Sequence, residues 1–184
     1  MLAFPRIHRL QSLNLIRMTD NTLLGAEALK AAFRRHASGI SIITGSNNGE
    51  PFGFTASSAT SLGSNPPLVS LNIAQGSSSY PLMTKSRLLG LHVLGSKNLD
   101  LAQRLAGPKE QRFSGGYSEG EEGVPVFETA SAVLFVRIRE IIEVEKNAVV
   151  ICDVESGMEF NEQSPITYFQ RGYHQLGERL ADNF

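Results

Sequence analysis

The stretch GFTASSATSLGSNPPLVSLNI, residues 53–73, carries six hydroxyl side chains in its first twelve positions, then a Pro66-Pro67 step and an alternating run. In that run Val69, Leu71 and Ile73 are separated by Ser70 and Asn72, the period of two expected of a strand with one buried face. Immediately upstream, ISIITGSNNGEPFGFTAS (40–57) holds two β-rich runs about Asn48-Gly49, a tight hairpin signal. The hydroxyl-rich segment therefore lies between strands, and further outward the chain keeps supplying them. LLGLHVL (88–94), SAVLFVRIREIIEVE (131–145), NAVVICDVES (147–156), ITYF (166–169) and YHQL (173–176) all read as extended pieces.

Helices are few. A capping side chain at Asn21 or Thr22 precedes LLGAEALKAAFRRHASG (23–39), where Ala26, Leu29 and Phe33 share one helical face and Gly39 suits a stop. SSSYPLMTKS (77–86) begins like a short helix with hydroxyl caps. NLDLAQRLAG (98–107) aligns Leu99, Leu101, Ala102 and Leu105 before Gly107 and Pro108. The stretch RFSGGYSEGEEGVPVFE (112–128), rich in glycine and acid, reads as an exposed loop. Many closely spaced strands with two or three helices predict a mainly β fold, an antiparallel barrel rather than a doubly wound sheet.

The 184 residues are 41% apolar, enough for one core, so a single domain is expected over residues 20–184 after an N-terminal extension, residues 1–19. The extension, MLAFPRIHRLQSLNLIR and onward, has no continuous apolar centre with a small-residue cleavage site, and Met18 is an alternative start. Seventeen basic against eighteen acidic residues give a formal charge of -1, which argues against nucleic acid or an anionic membrane as partner. No run reaches the roughly 20 apolar residues of a membrane helix. The single cysteine, Cys152, excludes an internal disulfide and fits a reducing compartment, so the expected location is cytoplasmic.

Two readings of the hydroxyl cluster stand side by side. Gly53 and Ala56 would let a flat ligand approach the backbone, while Thr55, Ser57, Ser58 and Ser61 donate to carbonyl or phosphate oxygens without adding charge. Alternatively the hydroxyls satisfy local backbone groups at a strand exit.

The order of FRRHASGISIITG, GFTASSATSL, NPPLVSLNI, SSSYPLM, LGLHVLGSKNLDLAQRLAG, KEQRFSGG and PITYFQRGYHQL resembles that of the flavin reductase-like family, over about residues 28–176. The resemblance implies an antiparallel Greek-key split β-barrel with a few flanking helices, the FMN-binding split barrel. It implies a homodimer that binds FMN, or FAD, and reduces it with NADH or NADPH, often to feed a separate flavin-dependent monooxygenase. By the same resemblance Thr55, Ala56, Ser57 and Ser58 line the flavin, Ser61 and Ser77, Ser78 and Ser79 lie near its phosphate, and Arg112 and Phe113 pack beside it. A helix opening at the serine run would add free amides for that phosphate, though serines there also serve as ordinary caps.

One departure bears on activity. Family members commonly carry Gly-Asp-His, with its histidine at the pyridine nucleotide site, where this chain has Glu145, Lys146 and Asn147. Asn147 is the residue at that position; it forms hydrogen bonds but does not titrate. The alternative to a reductase is thus an FMN-binding module with weak or no pyridine nucleotide oxidation. His92, where many relatives have Asn, reads as a hydrogen-bonded core residue, and Cys152 as a buried inert thiol. No metal site is expected, because His8, His36, His92 and His174 show no ligand spacing with Cys152. Neither a dinucleotide-binding nor a P-loop glycine pattern is present, and GSNNG is better read as a turn than as a nucleophile elbow.

Overall fold

The computed structural model describes residues 22–178 and residue 180. The extension 1–19, Met18, His8 and the cap at Asn21 lie outside them. The elements in chain order are α1 (Gly25–Phe33), β1 (Ser38–Gly39), β2 (Ser41–Asn47), β3 (Glu50–Ala56), β4 (Thr60–Ser64), β5 (Pro67–Ala74), α2 (Tyr80–Met83), β6 (Leu88–Val93) and α3 (Leu99–Ala106). They continue with β7 (Ser118–Glu119), β8 (Pro125–Val126), β9 (Ala132–Val144), β10 (Asn147–Glu159), β11 (Ile166–Phe169) and β12 (Gly172–Gln175).

Seven strands form one antiparallel sheet in the order β3-β2-β6-β9-β10-β5-β4. The sheet curls on itself, because strands far apart in that order share a core: Phe52 and Ala56 of β3 pack in one cluster with Val69, Leu71 and Ile73 of β5. The expected period of two in β5 thus points its apolar side chains inward. β2 is different. Ile43 joins this interior, while its neighbour Ile42 joins a second cluster outside the sheet with Leu101, Ala102 and Leu105 of α3. Being covered on both faces, β2 reads as a continuous apolar run rather than an alternating one.

The two turns that set the register are short. Asn48 and Gly49, at φ 52° and 80°, join β2 to β3, as the Asn-Gly pair predicts. β9 and β10 form a long hairpin with Val144 opposite Asn147, leaving Glu145 and Lys146 as its turn. Glu145 adopts φ 53°, a left-handed conformation that glycine takes freely and asparagine readily, but glutamate only at a cost.

Several expectations are corrected. The first helix begins at Gly25, with Leu24 rather than Thr22 as its N-cap and no side-chain cap bond. Its apolar face finds no cover: α1 has no buried residue, and Leu24, Leu29 and Phe33 are 72%, 59% and 64% exposed. The hydroxyl-rich segment is not merely a strand exit, since Thr60–Ser64 pairs with β5 as an exposed edge strand. Leu99 is exposed on α3, while the other three residues of its expected face are buried. The glycine-rich stretch after Arg112 does not stay outside, because Val124, Val126 and Phe127 at its end are buried.

His92 of β6 is fully buried. Its Nδ1 donates to the Ile42 carbonyl at 3.3 Å and its Nε2 accepts from the Phe127 amide at 3.2 Å, which fixes a neutral tautomer between two cores. Burial pushes its pKa down from 6.5 to about 4, opposed by backbone carbonyls. The unfolded chain therefore takes up this proton first, and folding stability is complete above pH 6.5 and falls as pH drops towards 4. The expected loss is about 3 kcal/mol. Urea titrations between pH 7 and 4 should show this component in the parent and not in His92→Asn; equal slopes in both proteins would contradict it.

Candidate functional site

The C-terminal half of β3 and the serine run before α2 meet at the Gly53 carbonyl. Ser79 Oγ donates to it at 3.2 Å, and Arg112 Nη1 donates to it at 2.9 Å. The same Nη1 reaches Ser79 Oγ at 3.2 Å and Ser78 Oγ at 3.4 Å, while Nε donates to the Gly107 carbonyl at 2.9 Å, just past α3. Arg112 has no carboxylate within ion-pair distance among the described residues. Partial burial draws its pKa down, against the attraction of Glu110. It is thus a cation held in place by carbonyls and hydroxyls.

Arg112 stands between two cavities. One, of about 360 Å³, runs along Thr55 to Ser58, Asn72 to Ala74, Ser77 and the end of α3 at Leu105 and Ala106. The other, of about 230 Å³, is lined by Glu50 to Gly53, Ser78, Ser79, Lys109 and Phe113 among others. The structure therefore gathers Thr55, Ala56, Ser57, Ser58, Ser77, Ser78, Ser79, Arg112 and Phe113 around one basic centre. Ser61 is not among them: it lies on the exposed edge strand β4, paired with Val69, and lines neither cavity.

The hydroxyls turn out to have separate tasks. Thr55 Oγ1 donates to the Ala102 carbonyl at 2.6 Å, pinning α3 against β3. Ser58 Oγ both accepts from the Asn72 amide at 3.0 Å and donates to its carbonyl at 3.2 Å, extending the β5 edge through a side chain. Ser57 is exposed and makes no such bond. Ser79 caps no helix by its side chain, and α2 is a single turn, so the expected amide site at a helix start is absent there. Ala56 turns its methyl into the core and is 6% exposed. Gly53 serves packing first: a Cβ there would meet the Ile43 carbonyl oxygen at 2.8 Å and the Phe113 ring at 3.0 Å. Phe113 in turn stacks near Phe127, centroids 6.2 Å apart, and meets Tyr117 edge-on.

Asn147 starts β10 opposite Ala74, which lines the larger cavity, and its carbonyl accepts from Gln75 Nε2 at 3.0 Å. Leu105, Ala106 and Asn72 were not foreseen as lining residues. Leu105 reads in the sequence as helix core, which it also is; the polar phase of β5 was the one signal for Asn72. The donor set suits a neutral ring with an anionic tail: small residues and backbone beside the larger cavity, and a carboxylate-free guanidinium with serine hydroxyls at its end. FMN has that shape and charge, and the residues fit it.

Residues 33–177 match the family described as the flavin reductase like domain. The NADH:FMN oxidoreductase of Rhodococcus qingshengii is 36% identical over 124 residues, 66% of this chain and 65% of that protein, so the match spans just under two thirds of the relative's length. The FMN reductase (NADH) RutF of Enterobacter cloacae is 30% identical over 140 residues, 74% of this chain and 85% of the relative. The crystal structure of a flavin reductase domain protein from Arthrobacter sp. FB24 superposes with a TM-score of 0.81 at 36% identity, covering 85% of this chain and 99% of that one. Family match, sequence identity and superposition thus agree, and this chain belongs to the flavin reductase-like family and has its split-barrel fold.

Proposed function

We propose that the protein is an NAD(P)H-dependent flavin reductase that binds FMN in the cavity beside β3 and passes the reduced flavin to a partner monooxygenase. The observation that carries this reading is Arg112, fixed by the Gly107 and Gly53 carbonyls at the meeting point of both cavities and free of any carboxylate partner among the described residues. The names of the Rhodococcus and Enterobacter relatives, both NADH-linked FMN enzymes, support the cofactor and favour NADH as donor. FAD is the alternative flavin.

In this reading Arg112, with Ser77, Ser78 and Ser79, holds the phosphate, and the backbone of residues 55–58 borders the ring. Phe113, held by the aromatic cluster, packs beside the flavin at the smaller cavity. Bound there, the flavin supplies the hydride acceptor, so the chain needs no general acid and contributes orientation and electrostatics. Asn147 would meet the donor at the cavity rim. Ser61 is left out of the site on its position.

The exposed Leu24, Leu29 and Phe33 at α1, and separately Ile142 and Val144 at the end of β9, support a homodimer, because large apolar side chains grouped at a surface favour a covering partner. No helix among the described residues is long and apolar enough to cross a membrane. A cytoplasmic location is part of the proposal, and Cys152, fully buried with its pKa pushed up to about 12, suits a compartment without disulfide chemistry. The domain in this reading is residues 20–184, with 1–19 as its extension.

The direct test is anaerobic reduction of FMN by NADH, followed by flavin absorbance. Arg112→Gln should weaken FMN binding at least about tenfold, the contribution of one charge-assisted contact, in a protein that still folds. Unchanged flavin titration would remove Arg112 from the site. Replacing Glu145, Lys146 and Asn147 by Gly, Asp and His should raise NADH oxidation efficiency about tenfold, with FMN affinity barely moved, and Gly at position 145 also relieves the left-handed backbone. No gain in rate would place the donor elsewhere. Sedimentation equilibrium should give twice the 20.0 kDa chain mass; monomer alone at micromolar concentration would defeat the homodimer.

A further inference from the structure

On the other side of α3 from the flavin cavity lies a larger one, of about 570 Å³, which the proposed function does not use. Leu101 and Arg104 of α3 form one wall, Phe127 lies fully buried behind Arg104, and Lys97, Thr129, Asn161 and Gln163 stand around the cavity. Arg104 is the residue that asks for an explanation. Its guanidinium carbon sits 5.5 Å above the centre of the Phe127 ring. Its Nε is buried without an acceptor, and among the described residues the guanidinium joins no ion pair.

The lack of a partner is not for want of a carboxylate. Asp100 precedes Arg104 by four positions on the same helix, the spacing and order that favour an ion pair, and it lines the same cavity. The pair nevertheless does not form, and the guanidinium lies on the aromatic face instead. A planar, weakly hydrated cation held over a ring rather than by a carboxylate keeps its in-plane N–H groups for a planar oxyanion, which it binds in a fork. The rim is neutral by formal charge, with Lys97 and Arg104 against Asp100 and Glu162, so a multiply charged anion gains little there. Leu101, with the Thr129 methyl and the Lys97 stem, lines the rest of the cavity for an apolar body.

We propose that this cavity is a second small-molecule site, separate from the flavin cavity, for an organic monocarboxylate with an apolar body, the carboxylate on Arg104 and the body against Leu101 and the Thr129 methyl. The inference does not depend on what occupies the flavin cavity.

Sodium benzoate is the probe, titrated calorimetrically into the full chain with and without saturating FMN. Saturable binding is expected, unaltered by FMN, with benzamide at least tenfold weaker and inorganic phosphate weaker still. Arg104→Gln and Arg104→Met should each lose at least tenfold in benzoate affinity while melting near the parent temperature, and Arg112→Gln should lose nothing. Because Arg104 packs on the core, Glu162→Gln provides an arm that leaves the core alone, and it should tighten benzoate by about two- to threefold through removal of a rim charge. The proposal is overturned if benzoate shows no saturable binding, if benzamide or phosphate binds as well, if FMN displaces it, if both folded Arg104 variants retain it, or if Glu162→Gln weakens it.

Discussion

Much of this molecule hangs on one carbonyl oxygen. Gly53 O takes the Ser79 hydroxyl at 3.2 Å and an Arg112 N–H at 2.9 Å, and so draws three distant parts of the chain to one point: β3, the turn before α2, and the loop after α3. A buried carbonyl left without donors costs about 1–3 kcal/mol, which makes the contact worth more when formed than its two bonds suggest. Its geometry explains why position 53 is glycine, since a side chain there would strike the Ile43 carbonyl and Phe113. It also explains why Arg112 keeps its charge available. Carbonyls and hydroxyls orient a guanidinium without neutralising it, whereas a carboxylate would do both.

A second bond works with the first. Thr55 Oγ1 to the Ala102 carbonyl ties α3 to the strand two residues after Gly53, so α3 is held at its middle and, through Arg112 and Gly107, beyond its end. The helix thereby becomes a partition. Leu105 and Ala106 face the cavity assigned to flavin, while Leu101 and Arg104 face the larger one. Leu101 and Leu105, four apart, share the buried face between the cavities, while Arg104 and Ala106, two apart, point to opposite sides of it. The Phe113, Tyr117 and Phe127 cluster fills the space beneath.

The fold was legible where local chemistry and tertiary packing agree. Asn48-Gly49 requires positive φ and receives it; Val69, Leu71 and Ile73 alternate because one face of β5 meets the core. Legibility failed where a residue's partner is far away in sequence. The apolar stripe of α1 has the right period for a buried helix, yet nothing among the described residues covers it, and periodicity says only that a face is apolar, not what it meets. The hydroxyl segment shows the same limit at the site. Composition allows both readings, and the residues divide: Thr55 and Ser58 satisfy backbone groups, Ser57 stands open at the cavity, and Ser61 belongs to an edge strand that the sequence does not announce. Arg112 was found through motif order alone, since a basic residue before an aromatic carries no local sign of a carbonyl partner 59 positions earlier.

Cys152 has a bearing on chemical endurance. Reduced flavin that escapes into aerated solution reacts with dioxygen and yields peroxide, whose first target in proteins is an ionised, accessible sulfur. The chain's only cysteine is sealed in the barrel core, opposite Val69 and Ile138, and burial keeps it a thiol up to a pKa of about 12. On the proposed function, the product generates oxidant, and the chain's one thiol lies out of that oxidant's reach.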